Sequence, residues 1–259
     1  MTIWDHHIRW QEKGLRPSPL IGAPGLRMKC FRVDWLHCVD QGVAADFLGN
    51  LFCMIMGHLD GATETQRLKS LFVLIQEFYK GKTLASKLDN LTLGMLRPKA
   101  ANAPPKLKCK AAECRCLIPF AVEMAERFLI NNNNQEESAA KHAANHLAAC
   151  YDALSDSAGS SSRISLKENC RKFCLLYVAL ERFGAANGRW RVKPKLHLFQ
   201  EMCEMCDSKP SLTWTYRDED FGGTMAELSK IKGGTNSPSH TAYVILTKNM
   251  AKHPFPRIE

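Results

Sequence analysis

No stretch of this chain reads as a membrane span. The most apolar window, residues 48–59, is short and interrupted by Gly49, Asn50, Gly57 and His58. The first seven residues lack the apolar core of a secretory leader. Order among the cysteines is also missing. Eleven of them, an odd and irregularly spaced set, argue against a disulfide framework and for reduced thiols in a nuclear or cytoplasmic protein. No internal repeat is present. Acid is the scarcer charge: 26 Asp and Glu face 35 Lys and Arg, a net +9. That excess favours an acidic partner such as nucleic acid or an anionic surface.

What is present is helical periodicity. At 259 residues and 45% apolar content a sizeable core is possible, in one large domain or two small ones. The first 29 residues carry the Pro and Gly of loops. Leu36, Val39, Val43, Phe47, Leu51, Ile55 and Leu59 then fall on one face of a long helix. Thr63 and Gln66 form a capping box for the next helix, which Gly81 stops. Residues 97–110 read as a linker in which Lys106, Lys108 and Lys110 are solvated. Helices follow over residues 119–130 and 135–154, divided by an Asn run. After a Ser/Gly linker at 157–162, Ser165 and Glu168 predict another capped helix ending at Gly184. Pro194 begins a helix carrying Leu196, Phe199, Cys203 and Cys206. A last helix starts near Pro238, although residues 243–246 also suit a strand.

Strand signals are few. Residues 28–34 alternate loosely and end at Asp34; residues 212–216 form a weaker candidate leading into Asp218, Glu219 and Asp220. Three adjacent carboxylates repel, and are relieved by water, cations or a divalent metal. Asp34 and Glu219 each sit at an expected strand-to-helix junction. Two acids from neighbouring strand ends can hold Mg²⁺ or Mn²⁺, and a pair of such ions serves phosphodiester chemistry. The simpler alternative is that each acid caps or complements the helix that follows it.

The loop at 189–195 holds Arg189, Trp190, Arg191, Lys193 and Lys195. That composition suits phosphate contacts with base stacking; the alternative is a solvated loop with Trp190 tucked onto the core. Cys203 and Cys206 have zinc-type spacing, with Cys109, Cys114 and Cys116 as further ligands, but both also lie on an apolar helical stripe, which disfavours zinc. Cys170 and Cys174, one turn apart, read as core. His142 and His146 lack the Glu that a zinc protease places after its first His.

Three blocks carry a resemblance. Asp34, Trp35, Leu36 and His37, followed by Gln41-Gly42-Val43 and by residues 47–51, resemble the Asp-Pro-Met-His block of CACTA (En/Spm-like) transposases. Tyr216 to Gly223 resembles that family's Tyr-Pro-x-Glu-Arg-Tyr-Met-Gly block. Lys195, Leu196, His197 and Leu198 fall where the family has a His-Leu segment. The resemblance implies a DDE-type core of RNase H-like fold with a long helical insertion. It makes Asp34 the second catalytic and metal-binding acid and Glu219 the third, and DNA the substrate. The chain departs from the pattern at Trp35, Asp40 and Asp220, and the family's first catalytic Asp has no counterpart before Asp34. The fold expected is therefore mostly α, a partial RNase H-like core with one to three short strands. Its parts are residues 1–58 with the second acid, a helical insertion over 59–190, and a return to the core over 191–259. Partners implied are DNA, with no membrane, and a homo-oligomer or a missing N-terminal segment of the same transposase.

Overall fold

The computed structural model describes residues 32–97, 103–131, 133–154, 162–204, 210–212, 214–230 and 238–252, together with Ile8 and residues 12–14. The chain divides into two compact units, Met1–Thr213 and Trp214–Glu259.

In the first unit a π-helix, Leu36–Ala44, runs without a break into α1, Ala45–Met56. The long apolar stripe expected from the sequence is this element as far as Ile55, and those residues are buried; Leu59 lies beyond its end at Met56 and is half-buried. By length and composition it would pass for a membrane span, yet 89% of its most apolar window is packed inside the protein. It is the central helix of the core. Around it stand α2 (Glu64–Tyr79), α3 (Ala111–Cys116), α4 (Ile118–Phe128), α5 (Gln135–Asp152), α6 (Ser162–Phe183) and α7 (Pro194–Glu204). The π-helix packs on α3 and α7, α1 packs on α2 and α4, and the broadest helix–helix contact joins α5 to α6.

Local signals explain most boundaries. Thr63 Oγ1 accepts the Gln66 N–H at 3.3 Å, and Gln66 Oε1 accepts the Thr63 N–H at 3.1 Å, closing the capping box of α2. Asn134 Oδ1 caps α5 through the N–H groups of Glu136 and Glu137. Pro194 opens α7 as expected. The Ser165 box does not start α6, which already begins at Ser162; Ser165 is interior, and its carbonyl accepts from Asn169 Nδ2.

Aromatic rings knit the core. Trp35 meets Tyr151 and Phe199 edge-on, each at 5.5 Å. Phe173 touches both Phe199 and Phe47, and Phe47 touches Trp190 at 5.6 Å. Edge-on pairs of this kind add about 0.5–1.5 kcal/mol each beyond area burial.

The second unit holds α8, Tyr216–Lys230, and α9, Pro238–Lys252. No strand occurs among the described residues, and this corrects several expectations. Residues 32–34 are not a strand, and residues 28–31 lie outside the described residues. Pro210–Leu212 is a 3-10 turn and Tyr216 already begins α8, so the strand expected over 212–216 is absent. Residues 243–246 are helical. Gly222 and Gly223 lie within α8, although each interior glycine costs about 1 kcal/mol relative to Ala.

Candidate nucleic-acid interface

Two polar residues on the otherwise apolar α1 fasten distant segments to it. Asn50, fully buried, donates from Nδ2 to the carbonyls of Asp46 at 2.7 Å and Pro105 at 2.9 Å. Its Oδ1 accepts the Trp190 backbone N–H at 2.9 Å. The amide thus uses both ends, and an unpaired buried amide is costly. Gly49 lets the segment around Lys106 approach: a Cβ there would lie 2.4 Å from Lys106 Cα. Leu107 donates its N–H to Ala45 at 2.9 Å, so residues 103–110 are a fitted segment rather than a loose linker.

The π-helix presents carbonyls to lysines from elsewhere. Lys195 Nζ donates to the His37 carbonyl at 2.6 Å, and Lys106 Nζ to the Gln41 carbonyl at 2.8 Å. Gly42 makes room for the first of these, since a Cβ there would lie 2.6 Å from Lys195 Cδ. A few ångströms away Asp46, almost fully buried, takes Lys193 Nζ on Oδ1 at 2.7 Å, with Lys106 Nζ at 3.9 Å. Burial pushes the Lys106 ammonium below its ordinary pKa; Asp46 opposes this, and Lys193 and Lys195 reinforce it. Arg191, exposed, completes a rim with Lys193 and Lys195. Inside the rim is a cleft of about 10 Å³ lined also by Val43, Asp46, Tyr177 and Leu196. Burial pushes the Tyr177 phenol up, and Asp46 adds to this.

The basic loop is therefore divided in its work. Arg189 makes a two-pronged ion pair with Glu136, both contacts at 2.8 Å. Trp190 is fully buried against Phe47 and Tyr177, and donates its indole N–H to Glu136 at 2.7 Å. This corrects the expectation of base stacking: the ring belongs to the core. Trp190 also holds φ at +60°, a strained value for a bulky residue. Arg191, Lys193 and Lys195 remain at the surface side of the loop. Lys106, read from the sequence as solvated, is in fact part of the cluster.

Asp34 caps the central helix. Its Oδ2 accepts the His37 backbone N–H at 2.9 Å and lies 2.6 Å from His37 Nδ1. Asp40, which stands where the transposase pattern has a Lys, is fully buried and accepts the Tyr151 hydroxyl. Glu219 is exposed in the first turn of α8, where acids complement the helix dipole. Asp34 belongs to the first unit and Glu219 to the second.

Among the described residues no three His, Cys, Asp or Glu side chains are grouped to hold a metal ion. A hard divalent cation needs several free oxygens, and within the first unit Asp34 brings one carboxylate whose Oδ2 already serves two nitrogens. The fit is not met there. Cys203 is buried beside Cys170, and Cys206 lies outside the described residues. Cys170 Sγ contacts the Phe199 carbonyl at 3.7 Å and Cys38 Sγ the Lys195 carbonyl at 3.4 Å. The thiols are packing groups between α6, α7 and the π-helix.

No family model matches the chain, and no curated protein or solved structure is significantly similar to it.

Proposed function

We propose that this chain is a nucleic-acid-binding protein of transposase descent that holds phosphates and does not itself cut them. The observation that carries the reading is the convergence of Arg191, Lys193, Lys195 and Lys106 near two carboxylates, Asp46 in the cleft and Glu181 at the Val192 N–H. Four cations against two anions leave positive charge for a ligand to neutralise. The cleft inside the rim holds about 10 Å³. Ligand pockets for small molecules run to roughly 300–1,000 Å³, so the ligand lies across the rim as a polyanion and does not enter. The net charge of +9 points the same way.

Descent from a CACTA-type DDE transposase, with an RNase H-like ancestry for the core, is part of the same reading and rests on the order of the three sequence blocks. Asp34 and Glu219 are then heirs of the second and third acids. Asp34 now works as a helix cap, which favours binding over Mg²⁺- or Mn²⁺-dependent cleavage.

Fluorescence anisotropy with labelled duplex DNA and RNA tests the proposal. About three phosphate contacts give a slope near −2.7 for log affinity against log salt. The triple variant R191Q/K193Q/K195Q is expected to lose most of the affinity. Absence of binding at low salt overturns the reading. Nicking of DNA with Mn²⁺, abolished in both Asp34→Ala and Glu219→Ala, would replace it with a catalytic one.

A further inference from the structure

The cation cluster contains its own anion. Asp46 sits on the central helix with its side chain 7% exposed, so it cannot leave the cluster. Lys193 is different: its side chain is 36% exposed, and its ammonium reaches Asp46 Oδ1 at 2.7 Å. The cleft has room for one water-sized body and none for a phosphate. A phosphate at the rim therefore meets Arg191 directly and Lys195 beside its bond to the His37 carbonyl, but Lys193 only by drawing it away from the carboxylate.

We propose that Asp46 is an internal counterion that occupies Lys193 in the free protein, and that a backbone phosphate binds by taking Lys193 from it. Resting on the nucleic-acid reading above, this makes Asp46 the residue that sets affinity. The buried carboxylate keeps Lys106 as its near neighbour at 3.9 Å, so it is not left without a cation when Lys193 turns outward. The arrangement costs affinity and gains discrimination: a weak or isolated anion does not repay the broken pair, whereas a polymer that also engages Arg191 and Lys195 does.

The test uses the full chain and two probes, a labelled duplex oligonucleotide and inorganic phosphate, with Asp46→Asn as the variant. The amide keeps the shape of the carboxylate and removes its charge. D46N is expected to bind the oligonucleotide about tenfold more tightly. It should also be stabilised against heat by phosphate at lower concentrations than the wild type. Should D46N fail to fold because Lys106 loses its anion, D46N/K106Q removes both charges and is compared with K106Q alone, with the same gain expected.

Equal oligonucleotide affinity in D46N and wild type overturns the counterion role and leaves the nucleic-acid reading standing. No oligonucleotide binding by either protein, with phosphate stabilising D46N more than the wild type, overturns the nucleic-acid reading and keeps the counterion role. Indifference of both proteins to both probes overturns both.

Discussion

Glu136 receives the Trp190 indole N–H at 2.7 Å on the same oxygen that Arg189 Nε reaches at 2.8 Å. One carboxylate from the start of α5 thus anchors two consecutive residues of the basic loop, and holds Trp190 in its left-handed conformation. Glu136→Ala leaves a buried indole N–H and a guanidinium without their acceptor. The expected loss is about 3 kcal/mol of stability, read by urea denaturation. Glu136→Gln keeps an acceptor and should lose less.

Asn50→Leu removes three hydrogen bonds and leaves the Pro105 carbonyl and the Trp190 N–H unpaired inside the protein. A loss of about 3 kcal/mol or more is expected. Because the same amide holds both the Lys106 segment and the basic loop, hydrogen exchange should quicken in both. Quickening in only one would show that the two are fastened independently.

Two glycines on the central helix should behave differently. A Cβ at Gly49 meets the backbone of Lys106 and Leu107, which cannot step aside without breaking the Leu107–Ala45 hydrogen bond. Gly49→Ala is expected to destabilise by about 2 kcal/mol. At Gly42 the nearest atom is Lys195 Cδ, part of a flexible chain. Gly42→Ala should fold, move Lys195, and weaken oligonucleotide binding several-fold. Calorimetry and anisotropy together separate the two outcomes.

Much of the first unit was legible because apolar periodicity and capping pairs are local. The stripe from Leu36 to Ile55, the Thr63 box and the start at Pro194 all needed only neighbours along the chain. The π-turns were not legible, since they depend on distant partners for the His37 and Gln41 carbonyls. The strand expected at 212–216 rested on Trp214, Thr215 and Tyr216 favouring extended backbone; the acids that follow favour a helical first turn, and helix prevails from Tyr216. Of the site, Arg191, Lys193 and Lys195 are marked by composition, whereas the segment around Lys106 has the composition of a solvated linker. Asp46 and Asn50 carried a usable signal: two polar residues one turn apart on a helix that is apolar elsewhere.

The buried thiols make stability fall at alkaline pH. Burial pushes Cys38, against the pull of Lys195, and Cys53 from the usual 9.0 up to about 11. In the folded chain these groups hold their protons where the unfolded chain has released them. Their contribution is complete below pH 9 and disappears as pH rises towards 11. Denaturation midpoints should therefore decline across that window. Thiol-reactive probes at pH 8 should label Cys38 and Cys53 far more slowly in the native protein than in urea.

Asp34→Ala removes the cap from the central helix, where Oδ2 serves both the backbone and the ring of His37. About 1 kcal/mol of stability should be lost, with no change in the effect of Mn²⁺ on melting temperature. A Mn²⁺-induced rise present in the wild type and missing in the variant would restore a metal role to this carboxylate.

The wide turns of Leu36–Ala44 have an unusual genetic consequence. Deleting one residue there need not break the rod. A turn closed by i→i+5 bonds holds about one residue more than an α-turn, so the shortened segment can wind down to ordinary α geometry with its two ends close to their original phase. Trp35 would keep its place in the aromatic cluster, whereas the carbonyls now offered to Lys195 and Lys106 would be drawn into i→i+4 bonds. A single in-frame codon loss in this segment would thus spare the helix and the core and release the cation cluster beside it.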